Sequence, residues 1–171
     1  MEIFYTRFDS PIGNMWIGSA CDSVVRLELP GGSPDGFFRS LQRTFPQGRL
    51  IESHDANAQA IAEILEYLQG QRRTFSVRLD PHGTEFQRAT WKEVANIPYG
   101  ETRSYGDIAR ALGRPKALRA VGAASGANPL PLFIPCHRVV GSNGALTGYG
   151  GGIELKRKLL EMEQRSDTLP V

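Results

Sequence analysis

The 171-residue sequence predicts two successive units, a small α/β unit followed by a mostly helical one. Three observations lead there. Apolar and polar residues alternate with period two through the first thirty positions, the pattern of a sheet with one buried face. Beyond residue 83 the apolar spacing changes to three and four, with helix-capping signals ahead of the apolar runs. Between the two, Asp80-Pro81-His82-Gly83 interrupts regular structure where the charge balance changes sign, which places the boundary between units 1–82 and 83–171.

In order, "EIFYTRF", "NMWIGSA" and "VVRLEL" read as a three-strand meander, separated by the turn signals "DSPIG" and "CDS". "PGGSPDG" breaks the meander, "FFRSLQRTF" has helical spacing, and "GRLIES" fits a further strand. "ANAQAIAEILEYLQG" is an amphipathic helix ended by Gly70, and "TFSVRLD" is expected to close the unit as a strand. In the second unit Thr84 and Gln87 form a capping box ahead of "EFQRATWKEVANI", which Pro98 and Gly100 terminate. Ser104 and Asp107 repeat that signal before "YGDIARAL". Gly113 stops this helix, and Pro115 is placed to start the next, "KALRAVGAASG". "IELKRKLLEMEQ" is the last amphipathic helix. The two short helices joined through "GRP" make a helix-turn-helix pattern.

A hydrophobic content of 40% suits a chain that buries a core. No run reaches the roughly 18 to 20 apolar residues of a membrane span, and "MEIFYTRFDS" lacks the basic start and apolar run of a secretion signal, so the expected location is cytoplasmic. The two cysteines, Cys21 and Cys136, lie far apart, which speaks against a disulfide framework and for a reducing compartment. Neither has a second thiol nearby, and His54, His82 and His137 are not spaced as zinc ligands, so no metal or cofactor is expected.

The net charge of +2 conceals an asymmetry. Residues 1–82 carry eight basic and ten acidic side chains, residues 83–165 twelve and seven. Between Arg103 and Arg138 six cations face only Asp107, an excess that attracts phosphate. The helix behind "GRP" is built from small residues, Ala117, Ala120, Gly122, Ala123, Ala124, Ser125 and Gly126, with Arg119 projecting among them. Glycine costs helix stability, so a close approach must compensate. Tight packing on another helix is one reading. The other is a low-profile backbone that enters a nucleic-acid groove with Arg119 as its probe.

In "PLFIPCHRVVGSNG" a cysteine precedes a histidine and an arginine. As an apolar filler Cys136 would be unremarkable, but Pro131 and Pro135 shape a turn instead of a ladder strand. His137 and Arg138 also bring polar groups that a dry core does not tolerate unpaired. A nucleophilic cysteine acts as its thiolate, so something must lower its pKa. His137 is the neighbouring base, and an acid on the last helix, Glu161 or Glu163, is available to orient it.

"IPCHRVV", with the stretch from "TEFQRATWKEV" to "IELKRKLLEME" around it, resembles the O6-alkylguanine-DNA alkyltransferases, or methylated-DNA–protein-cysteine methyltransferases. The resemblance covers the C-terminal half in register and the N-terminal half loosely. It implies direct-reversal DNA repair: one irreversible, stoichiometric transfer of an alkyl group from O6-alkylguanine, or O4-alkylthymine, in double-stranded DNA to Cys136. His137 would act as base through a water, and the family selects Glu163 over Glu161 to orient it. Asn128 would brace the active-site turn. Tyr105 would meet the flipped guanine and protonate it at N3, Tyr149 would wall the pocket, and the Val139 carbonyl would accept from the guanine amino group. Gly150 stands where some relatives carry a serine, which implies room for alkyl groups larger than methyl. Arg119 would fill the vacated base stack, and Ser104, Ala117, Ala120 and Gly122 would share the minor-groove face. The implied fold is a ribonuclease-H-like N-terminal unit before a winged-helix-like unit carrying the helix-turn-helix, in a monomer that can cluster on DNA. A cysteine hydrolase shares the Cys-His pair but predicts turnover and an oxyanion hole. A noncatalytic DNA-binding module would not need the cysteine, and a sequence-specific regulator would need more side chains for reading base edges.

Overall fold

The computed structural model describes residues 1–168, with side chains described through 165. The chain divides into two compact units, Met1–His82 and Gly83–Val171.

The first unit is a mixed four-stranded sheet with helices. Strands β1 (Glu2–Phe8), β2 (Met15–Ala20) and β3 (Ser23–Glu28) form the antiparallel meander, and β4 (Arg49–Glu52) joins the other edge of β1 in parallel, giving the order β3-β2-β1-β4. Cys21 and Asp22 make the tight turn between β2 and β3, both with positive φ (48° and 61°). That is the backbone geometry of a two-residue hairpin following the strand twist. Helix α1 (Pro34–Thr44) opens on Ser33, whose side chain accepts from Gly36 N–H, and lays Phe37 and Leu41 on the sheet. Gly18 lets it come close, since a Cβ there would meet Leu41 at 3.3 Å. Around it Tyr5, Trp16, Phe37 and Phe38 pack edge to face or tilted, with ring centroids 4.9 to 6.4 Å apart.

Helix α2 (Ala58–Leu68) buries Ile61, Ile64 and Tyr67. Asn57, at its N-terminus, is tied to β1 by donating to the Phe4 carbonyl (3.3 Å). The stretch 74–80, expected as a strand, is irregular apart from one parallel bridge between Val24 and Leu79. The reason is the buried Glu63 of α2. Its carboxylate accepts from the Ser76 N–H (2.9 Å) and the Ser76 hydroxyl, and sits 3.5 Å from the Val77 nitrogen. Backbone donors captured by a carboxylate are not available to a ladder.

In the second unit α3 (Glu85–Ala95) and α4 (Tyr105–Ala111) both start with complete capping boxes, Thr84 with Gln87 and Ser104 with Asp107. Helix α5 spans Leu118–Gly126. Pro115 does not start it. Residues 115–116 form a turn, closed by the Ala117 N–H donating to the Arg114 carbonyl (2.9 Å), and Ala117 is the N-cap. Trp91, almost fully buried on α3, donates its indole N–H to the Ala124 carbonyl (2.7 Å) and so fastens α3 to α5. Strand β5 (Arg103–Ser104) pairs in parallel with β6 (Val139–Val140). Helix α6 (Ile153–Thr168) completes the described chain. Among the described residues no helix is long and apolar enough to cross a membrane.

Candidate active site

The site is carried by a buried turn between α5 and β6. Residues 129–140 are buried throughout, and Leu132 takes a positive φ of 72°, rare for a branched side chain. Asn128 holds this turn. Its amide donates to the Ile134 carbonyl (2.8 Å) while its carbonyl oxygen accepts from the Leu130 N–H (2.9 Å). The chain then forms a single 3-10 turn, Cys136–Arg138, before entering β6.

Cys136 is buried, with 9% of its surface exposed. Burial holds its thiol above the ordinary range. A hydrogen bond from Asn128, the charge of Lys156 and its own backbone N–H favour the thiolate without overcoming this. The expectation of a depressed thiol pKa is therefore corrected: the resting sulfur is protonated, and the proton has to be taken when reaction begins.

His137 is fully buried beside it, and its Nε2 pairs with Glu163 Oε1 at 2.8 Å. Glu163, on α6, also accepts from Arg138 Nε (3.0 Å) and Nη2 (2.8 Å) and from the Gly100 N–H (3.3 Å). Burial opposes its ionisation, but the bonds from His137 and Arg138 outweigh that and bring its pKa down to about 2. Burial lowers the His137 pKa; Glu163 pulls it up while Arg138 and Lys156 push it down, leaving the imidazole neutral at neutral pH. A neutral imidazole donating Nε2–H to an ionised carboxylate turns its basic nitrogen, Nδ1, away from the acid. Glu161 is paired with Arg165 on the outside of α6 and takes no part.

Two residues that the sequence reading did not place are central here. Arg138 is 6% exposed, grips Glu163 with two nitrogens and donates its third to the Ile97 carbonyl (2.7 Å). Lys156 is fully buried, and its ammonium donates to the carbonyls of Val139 (2.6 Å) and Thr147 (2.9 Å). The signal was present: Lys156, Leu159, Leu160 and Glu163 fall at i, i+3, i+4 and i+7, so both charged residues lie in the apolar stripe of α6. Lys156 already uses one lone pair of the Val139 carbonyl, and a carbonyl oxygen has a second for another donor.

Tyr149 sits against His137, ring centroids 6.4 Å apart and nearly perpendicular, and its hydroxyl is buried without a hydrogen-bond partner. Burial and the proximity of Cys136 and Glu163 raise its pKa well above the usual range, so it stays a neutral phenol. Tyr105 opens α4, half-buried, and its hydroxyl accepts from Thr147 (3.3 Å). Gly150 is exposed, with nothing within 4 Å of the place a Cβ would take.

Tyr105, Arg119 and Gly122 share a cavity of about 780 Å³ with Ser104, Leu118, Ser142 and Thr147. Arg119 is exposed. Ser104 accepts from the Asp107 N–H (3.0 Å), so its side chain is engaged as a helix cap. The small residues of α5 divide in two. Val121, Ala124 and Ser125 are buried, whereas Ala120, Ala123 and Gly126 are exposed, with open space around Gly126. Helix packing explains the first group only.

Comparison with known proteins agrees over most of the chain. The family model for the DNA-binding domain of 6-O-methylguanine DNA methyltransferase matches residues 85–165. The inducible methylated-DNA–protein-cysteine methyltransferase of Bacillus subtilis is 43% identical over 155 residues, which is 91% of this chain and 87% of the relative. Among solved structures, that of Mycobacterium tuberculosis OGT in complex with DNA superposes with a TM-score of 0.84 at 41% identity, covering 95% of this chain and 94% of the other. An O6-methylguanine DNA methyltransferase from Methanococcus jannaschii superposes at 0.67 with 27% identity, covering 97% and 95%.

Proposed function

Since the chain belongs to the O6-methylguanine-DNA methyltransferase family, which repairs DNA by moving an alkyl group onto a cysteine, we propose how its own residues perform that transfer. Cys136 is the acceptor. The observation that carries this is the buried line from Cys136 through its neighbour His137 to Glu163, with the imidazole held at 2.8 Å from an ionised acid.

The substrate is double-stranded DNA bearing O6-alkylguanine, with O4-alkylthymine as a second lesion. Arg119 enters the minor groove on the low-profile face made by Ala117, Ala120 and Gly122, and fills the gap left by the extruded base. Flipping costs a few kcal/mol, which these contacts offset. The extruded guanine stands between Tyr105 and Tyr149, its amino group donating to the Val139 carbonyl beside Lys156. Asn128 keeps the thiol turn in place.

The thiol proton passes through a water to His137, and the imidazolium formed is neutralised by Glu163. Sulfur then attacks the alkyl carbon as the carbon–O6 bond breaks, its electron pair going to guanine. The base takes a proton at N3 from Tyr105, whose oxygen is already engaged as acceptor by Thr147, leaving its own O–H to point elsewhere. The product is a thioether, which has no carbonyl for water to attack, so each molecule reacts once. No cofactor enters this scheme.

The first unit supports the second. Its strand order, with an antiparallel meander and a parallel fourth strand, favours a ribonuclease-H-like fold, and α4 and α5 with the β5–β6 pair favour a winged helix-turn-helix. A monomer working on DNA in the cytoplasm fits this scheme, and clustering along DNA is compatible with it. Open space at Gly150 favours acceptance of alkyl groups larger than methyl. Single-turnover transfer from a duplex containing O6-methylguanine tests the scheme. The wild type is expected to react, Cys136→Ala not at all and Glu163→Gln at least about a hundredfold more slowly; wild-type rates in either variant would reject it.

A further inference from the structure

Leu118 is one of three large apolar side chains that stay exposed among the described residues, with 49% of its surface open. A single exposed leucine is ordinary, but its place is not. It is the first residue of α5, adjacent to Arg119, and with Arg119, Pro115, Tyr105 and Gly122 it lines the same cavity. The neighbouring face of the helix carries only the small exposed residues Ala120, Ala123 and Gly126. On a helix face otherwise short of bulk, one cationic and one apolar side chain line the same cavity.

We propose that Leu118 is an apolar wedge that packs against the deoxyribose wall and base step beside the gap Arg119 fills, so that cation and hydrocarbon together hold the duplex open. This rests on the DNA-repair reading above. Proteins that unstack a duplex from its minor groove commonly insert apolar side chains in this way. The physical consequence is specific. An arginine on the phosphodiester backbone or in the groove releases counterions, whereas a leucine contributes affinity through surface removed from water and releases none.

The test is the salt dependence of binding to a duplex containing O6-methylguanine, measured by fluorescence anisotropy for the otherwise wild-type protein, Leu118→Ala, Leu118→Met and Arg119→Ala, each carrying Cys136→Ala so that the lesion survives the measurement, with melting temperatures recorded. Leu118→Ala is expected to bind about five- to tenfold more weakly at every salt concentration with an unchanged slope of log Kd against log salt. Leu118→Met should recover most of the loss, and Arg119→Ala should lower both affinity and slope. Wild-type affinity in Leu118→Ala, a changed slope, or a fall in its melting temperature large enough to account for the weaker binding would each overturn the wedge. Should the wild type bind this duplex yet never alkylate Cys136, the repair reading fails, and the Leu118 contrast still decides the wedge.

Discussion

Glu163 serves a neutral imidazole and a guanidinium at once, and the balance between them sets the chemistry. Alone with His137 in a buried site, an ionised carboxylate would draw a proton onto the imidazole and spoil it as a base. Burial of the imidazole opposes this first, and Arg138 adds to it by donating two hydrogen bonds to the same carboxylate, with Lys156 adding positive charge on the thiol side. Arg138 is thus a positioning residue. In Arg138→Gln the His137 pKa should rise and the acid limb of the pH profile for alkyl transfer should move to higher pH, while Arg138→Lys should restore it toward wild type. A lower rate with an unmoved profile would mean that Arg138 only holds the fold. The Gln variant should also lose about 3 to 5 kcal/mol of stability, because it leaves a buried carboxylate without its cation. Cys136, His137 and Glu163 were legible from the "PCHR" stretch and the resemblance it carries. Arg138 was not, because a sequence shows a charge without showing that it is buried; Lys156 was legible only through its place in the apolar stripe of α6.

The elements that present the site were read mostly from their ends. Both capping boxes appear as the spacing predicts, since a cap is a local device whose partners lie within four residues. Ser104→Ala should therefore cost about 1 kcal/mol, visible as a lower melting temperature. Local pattern failed at Pro115, where a turn precedes the helix, and again where a distant group overrode it. Glu63 takes the backbone donors of Ser76 and Val77, and nothing within "TFSVRLD" announces it. For α5 the sequence left two readings open, and exposure divides the helix between them: Trp91 and Ala124 account for the packed side, and the bare side is the one proposed to meet DNA. Ala120→Gln tests that division. It adds bulk on the open face with little change in helix propensity, so melting should stay within about 0.5 kcal/mol of wild type while duplex binding weakens severalfold. A destabilised fold would return Ala120 to the packed side.

Across the whole molecule, the same buried charges tie stability to pH. Glu163 titrates at about 2 in the folded chain against an ordinary value near 4.5, so its contribution is complete above 4.5 and is lost as pH falls toward 2. His137 acts in the same direction. Its folded pKa is depressed below 6.5, so beneath that value the unfolded chain gains a proton that the folded chain refuses. Urea midpoints are expected to fall on acidification below about pH 6.5 and again below 4.5, with the lower step lost in Glu163→Gln; a flat profile between pH 7 and 4 would contradict this. The division into an α/β and a helical unit was visible from periodicity and from the proline and glycine at 81 and 83. The parallel placement of β4 was not, since strand order depends on contacts between distant segments. In the proposed scheme one sulfur, Cys136, takes the alkyl group once and keeps it. Peptide mass spectrometry after incubation with excess O6-methylguanine duplex reads this out: one methyl per chain is expected, on Cys136, with no further consumption of lesion. More than one lesion repaired per chain, or the methyl found on the exposed hairpin cysteine Cys21, would contradict it.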